Sequence, residues 1–199
     1  MKMAKKFLAV ALAGVLALSV LTGCGASVKS KDIADALNKM GVKVEQDDGA
    51  DKTAEKTLKA IEAIVNAPAN AAKADTDTSK ITLDNAVNRN TGRVISTSII
   101  ADRNANSVMK ALGLFANGSD AESANRKKGQ IWVALVNIEN AKKDASLQAA
   151  FVKDGLVRTW NAFVDNTHEV AKTGKLGTAK TSDGKYILVV IVNDLVAKA

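Results

Sequence analysis

Cysteine occurs once in the 199 residues, at Cys24, proline once, at Pro68, and histidine once, at His168. A lone cysteine excludes an intrachain disulfide framework. A lone histidine excludes a two-histidine zinc site. The near-absence of proline leaves long stretches free to be helical. Aromatic residues make up only 4% of the chain, so Leu, Ile, Val and Ala must fill most of the core. There is no glycine-rich phosphate loop and no G-x-S-x-G elbow. No basic run is longer than Arg126-Lys127-Lys128, and no aromatic platform stands beside it. The triplet therefore reads as a solvated loop, and no nucleic-acid partner is expected. Asp75 and Asp77 lack the glycine and bidentate glutamate that a calcium loop needs. No metal and no cofactor is expected. The 21 acids allow many carboxylate pairs of the kind glycosidases use, and nothing singles one out.

What is present is organised from the amino terminus. Lys2, Lys5 and Lys6 precede Phe7–Leu21, FLAVALAGVLALSVL, which carries no charge. A basic start followed by such an apolar run is the pattern of an export signal, and the run is shorter than the roughly 18–20 residues of a spanning helix. Leu21-Thr22-Gly23-Cys24 follows at once. This segment resembles the lipobox of bacterial lipoproteins, in which Leu, a small residue and Gly or Ala precede a cysteine. The resemblance implies cleavage after Gly23 and a diacylglyceryl thioether on Cys24, so that the protein is lipid-anchored on the extracytoplasmic face of a cell membrane. The bilayer is then its first partner, since two or more acyl chains anchor stably where one does not. Residues 1–23 are expected to be the signal peptide, 24–30 an extended tether without tertiary contacts, and 31–199 one domain. Losing the three signal lysines lowers the net charge from +7 to +4.

Along the mature chain, Ile33, Leu37 and Met40 share one helical face, with Gly41 as a stop. Residues 46–51 read as a polar loop. Ala54, Leu58, Ile61 and Val65 mark a second helix over 53–66, ended by Pro68. Residues 67–79 read as a loop or linker. Arg93–Ala101, RVISTSIIA, reads as a strand. Asp102 can cap a helix carrying Ala105, Val108, Met109, Leu112 and Phe115, with Gly118 at its end. Residues 119–129 read as a polar loop, and Gln130–Ile138 as a second strand. Ala145–Ala171 is helical by composition, with a break at Gly155. Leu176–Thr181 and Lys185–Val192 flank Ser182-Asp183-Gly184 as a hairpin. Tyr186–Val192 is apolar without alternation, which predicts a strand buried on both faces. Strands interleaved with helices predict one α+β or α/β domain, its helices packed on a small mixed sheet.

His168 is the residue with the clearest chemical potential. At helical spacing it joins Val157, Trp160 and Val164 on one apolar stripe, where an imidazole serves as base or ligand, or is satisfied by a backbone carbonyl. Glu139, after the Gln130–Ile138 strand, is its candidate carboxylate partner. The last third, with Trp160-Asn-Ala-Phe163, Asn166-Thr-His168, Leu176-Gly177-Thr-Ala179 and Asp183-Gly-Lys-Tyr186, resembles the closing segment of bacterial CAP-superfamily domains. That superfamily comprises cysteine-rich secretory proteins, antigen 5 and pathogenesis-related proteins. Ile138-Glu139-Asn140 is similar to its Gly-Glu-Asn segment. The resemblance implies an α-β-α sandwich, and a Trp-bearing helix leading to the histidine. The superfamily's first histidine has no counterpart here, Ile138 replaces the glycine, and the Trp-to-His spacing is longer. Two functions are expected. The first is a non-enzymatic binding or envelope-associated role, with a cell-envelope or extracellular partner. The alternative is a divergent CAP-like domain with a degenerate metal-binding or hydrolytic cleft built on His168 and Glu139.

Overall fold

The apolar run Tyr186–Val192 organises the fold. In the computed structural model, which describes residues 27–88, 93–94, 105–114, 128–162 and 164–198, it opens the twelve-residue strand β8, Tyr186–Ala197. Strand β4, Lys128–Asn137, lies antiparallel along one side of β8, with Val133 opposite Val190. The other side is taken first by β7, Gly174–Lys180, with Gly177 opposite Val190. It is taken further along by β6, His168–Val170, with His168 opposite Ala197. Strand β1, Val44–Gln46, adds parallel to β7 at one edge, and β5, Val157–Asn161, adds antiparallel to β4 at the other. The six-stranded sheet is therefore mixed, in the order β1-β7-β8-β4-β5 with β6 beyond β7.

Helices cover both faces. Helix α1, Ser30–Lys39, and helix α5, Ala145–Gly155, bury Ile33, Leu37, Ala149 and Val152 against Ile187, Val189 and Ile191 of β8. On the other face α2, Asp48–Val65, and α4, Ala105–Ala111, bury Leu58, Ile61 and Val108 against Leu188 and Val190. Alternate β8 residues thus enter opposite cores, which is why the strand has no polar face. The result is an α+β domain with helices on both sides of its sheet.

Local chemistry sets the helix ends. After α1, Gly41 adopts φ +85°, and the Gly41 and Val42 amides return to the Asn38 and Leu37 carbonyls. That is the Schellman ending, which a residue without Cβ takes most easily. Helix α2 begins earlier than the expected 53, because the Asp47 carboxylate accepts the Ala50 amide at 2.8 Å. Asp48 and Asp51 then suit the positive end of the helix dipole. The segment 46–51, expected as a loop, is instead the end of β1 and the first turn of α2.

Other expectations are also corrected. Residues 67–79 contain a short helix, α3, Pro68–Ala71, whose buried Asn70 bonds the Val65 and Ile81 backbone. Helix α5 stops at Gly155 instead of continuing to 171. The chain that follows, with Val157, Thr159 and Trp160, pairs with the open edge of β4, where β-branched and aromatic side chains fit a pleated surface. The tether expected over 24–30 is docked from Val28 on. Val28 packs against the α1 side of the core, and the Ser30 hydroxyl bonds Asp51 and Thr178. Lys128, expected to be solvated, is half-buried at the start of β4, and its ammonium donates to the Leu112 carbonyl at 2.7 Å. Of the expected strand 93–101, Arg93–Val94 forms β3 against Val87–Asn88, β2. Its remainder, together with Cys24, Asp102, Phe115, Gly118, Arg126 and Lys127, lies outside the described residues.

Candidate functional site

His168 lies on strand β6, not on a helix, and its side chain is half-exposed. The apolar helical stripe expected from Val157, Trp160 and Val164 does not form. Trp160 is on β5, where its indole N–H donates to the Lys128 carbonyl, and Val164 is exposed. The partner of His168 is Asp165, three residues before it. Nδ1 sits 3.1 Å from Asp165 Oδ1 and 2.8 Å from the Thr167 hydroxyl. Asp165 Oδ1 also accepts the Thr167 amide, the Thr167 hydroxyl and the His168 amide, at 2.7, 2.8 and 2.8 Å. These donors, with the Thr167 hydroxyl foremost, hold the Asp165 carboxyl well below the usual carboxylate range. Nδ1 is thus the ring nitrogen that the turn holds. Nε2 has no protein partner among the described residues. The Asp-x-Thr-His spacing of a side chain bonding backbone two residues on was a legible signal for this turn.

Glu139 is elsewhere. It begins the 3₁₀ turn Glu139–Ala141 after β4, and it pairs with Lys185 at 3.2 Å, just before β8. His168 is opposite Ala197 at the far end of that strand. Twelve residues at about 3.3 Å per residue separate the two ends of β8 by roughly 40 Å if the strand is straight. The structure therefore does not bring His168 and Glu139 together. Asp75 pairs with Lys80, and Asp77 accepts the Ser79 amide. Among the described residues no group of three or more His, Cys, Asp or Glu side chains is arranged to hold a metal ion.

Two concave surfaces among the described residues gather side chains from distant segments, and for that reason neither was legible in the sequence. The larger, about 610 Å³, lies where Val28–Ser30 crosses between α2 and β7. Buried Leu58 and Ala179 are among its apolar lining. Lys29, Lys59 and Lys180 bring three positive charges to it, and Glu55 and Glu62 bring two negative ones. Lys180 is half-buried, donates to the Val28 carbonyl at 2.8 Å, and has its pKa pushed down by burial. The smaller, about 340 Å³, opens beyond the end of α1 and is lined by Lys43, Lys172, Trp132, Gln130 and Asn193, among others. The Arg158 guanidinium stands 5.6 Å from the Trp132 ring centroid, within cation–π range.

Among the described residues no helix is long and apolar enough to cross a membrane. Comparison of the chain with protein-family profiles, curated proteins and solved structures finds no match.

Proposed function

We propose that this chain is a lipid-anchored extracytoplasmic lipoprotein whose domain binds a partner of the cell envelope or its surroundings instead of catalysing a reaction. The observation that carries this reading is the Leu21-Thr22-Gly23-Cys24 segment behind a basic and apolar leader. The only thiol of the chain is thereby placed where acylation requires it. The two charged clefts, made of side chains suited to holding ionic groups, support the binding part of the reading. Cys24→Ser tests the anchor, since no other residue can form the thioether. The variant is expected to lose membrane retention and to leave the detergent phase on phase partitioning. A mature Ser variant that still accumulates in membranes overturns the reading.

The second reading, a divergent CAP-like domain with a degenerate cleft, is favoured by the helices on both faces of the sheet, the arrangement that resemblance implies. In it His168 would act without Glu139. His168→Gln separates the two readings when melting and zinc affinity are both measured. The binding reading expects no micromolar zinc site in the parent protein. Micromolar zinc binding that disappears in His168→Gln at unchanged stability favours the second.

A further inference from the structure

The 610 Å³ cleft stands beside the point where the chain leaves the domain. Val28 and Ser30, both on its wall, are held by the Lys180 ammonium and by the Asp51 and Thr178 side chains. Only three residues separate Val28 from Cys24, so that four chain steps join them. A fully extended chain covers at most about 3.6 Å per residue, so the cleft wall lies within about 14 Å of the anchored cysteine. If Cys24 carries its acyl chains at the bilayer surface, as the function proposed above requires, this cleft is held next to the lipid headgroups.

Its lining has two signs of charge. Among the described residues, Lys29, Lys59 and Lys180 have no carboxylate within ion-pairing distance, and neither Glu55 nor Glu62 has an ion-pair partner. Lys180 commits one donor to Val28 O, which leaves two N–H donors on a half-buried ammonium. The Thr178 and Ser182 hydroxyls add further polar groups on the same side. A purely anionic ligand would satisfy the lysines and meet two glutamates of like sign. A ligand that carries phosphate and a primary ammonium answers both.

We propose that this cleft binds the zwitterionic phosphoethanolamine group of an aminophospholipid, its phosphate held by Lys29, Lys59 and Lys180 and its ammonium by Glu55 and Glu62. Choline-bearing lipids carry the same net charge, but their quaternary nitrogen has no N–H to donate to a carboxylate. The cleft thereby discriminates between two headgroups of equal charge by hydrogen bonding. Free phosphoethanolamine presents the same groups without the membrane.

The test uses the acylated mature protein reconstituted into vesicles of phosphatidylcholine, alone or mixed in equal parts with phosphatidylethanolamine or phosphatidylglycerol. Lysine acetylation is followed by mass spectrometry. The Lys59 and Lys180 rates are divided by that of Lys198, at the far end of β8, so that reagent consumed by lipid amines cancels. Phosphatidylethanolamine is expected to slow both ratios by about fivefold or more against phosphatidylcholine. The Glu55→Gln/Glu62→Gln variant, altered at one exposed and one half-buried position of α2 by isosteric changes, is expected to lose the difference while it melts as the parent does. Equal ratios in ethanolamine and choline vesicles overturn the proposal, and so does equal slowing by phosphatidylglycerol. Slowing by added phosphoethanolamine in choline vesicles, without any by the ethanolamine lipid, overturns the membrane source. The mass of the amino-terminal peptide reports acylation separately. If Cys24 is unmodified the anchor reading fails, while the free phosphoethanolamine arm still reads the cleft.

Discussion

At the scale of single residues, Gly177 and Gly41 show two different uses of a missing side chain. A Cβ on Gly177 would stand 1.9 Å from the Ala50 carbonyl carbon and 2.1 Å from the Asp51 nitrogen, both backbone atoms at the start of α2. Neither can yield without moving the helix off the sheet. Gly177→Ala is expected to lower stability by about 3 kcal/mol or more, at or beyond the upper range for overpacking, or to prevent folding. Gly41 has open space around its Cβ position and needs glycine only for its φ of +85°. Gly41→Ala should cost only about 1 kcal/mol in a denaturant melt. A pH titration separates the Asp165 turn from these packing effects. The carboxyl is depressed in the fold below its ordinary value of 3.8, so its contribution is present above that value and is lost as pH falls through the folded pKa. The stability difference between the parent and Asp165→Asn is therefore expected to be present at neutrality and to shrink below about pH 4. A difference that does not shrink on acidification below about pH 4 contradicts the bonding described for Thr167 and His168.

Elements show why one strand governs the rest. Ile187 and Val189 of β8 are fully buried and face α1 and α5, while β4 and β7 occupy both hydrogen-bonding edges. A carboxylate at either position would have neither water nor a cation to meet. Ile187→Asp and Val189→Asp are each expected to cost about 3–5 kcal/mol, measured by denaturant unfolding. A loss under about 1 kcal/mol at both sites would contradict the two-sided burial. The apolar run that forms β8 was legible because no other element of that length tolerates seven apolar residues in a row so close to a Ser-Asp-Gly turn. The segment after Gly155 was not legible. Val157, Trp160, Val164 and His168 satisfy a helical period by coincidence, and only the free edge of β4 converts that stretch into strands. Helix α2 extends beyond its apolar period for the opposite reason. Its polar first turn looks like loop until Asp47 is seen to cap it.

Over the whole molecule, the two charged clefts lie at different distances from Val28, near the start of the described chain. The mixed-charge cleft adjoins Val28, whereas the groove with Lys43, Lys172 and Trp132 lies past the other end of α1, one ten-residue helix, or about 15 Å, further on. Tether length should then separate anchoring from headgroup contact. Inserting twelve Gly/Ser residues between Ala26 and Ser27 adds roughly 20 Å of root-mean-square reach. The variant is expected to stay fully membrane-bound while the protection of Lys59 and Lys180 in ethanolamine vesicles weakens severalfold, because the cleft's effective concentration at the surface falls. Protection unaltered by the longer tether would mean that the cleft's own affinity, and not its tether, keeps it at the lipid.

Composition and one-dimensional pattern determined those properties that depend on neighbours in the chain. These are the apolar faces of α1 and α2, the 181–185 turn, and the double burial of β8. Their physical basis is local, in side-chain period, turn chemistry and the length of apolar runs. Tertiary structure alone decided everything that requires distant segments to meet. His168 and Glu139 are 29 residues apart in sequence, but pairing with opposite ends of the same strand holds them at opposite ends of the sheet. Lys29, Lys59 and Lys180 come from three separate segments, and they share one cleft because α2 crosses β7 at Gly177 with Val28–Ser30 alongside. Hydrophobic period says that a residue is inside or outside. It carries no information about which outside residues the sheet order will bring to the same place.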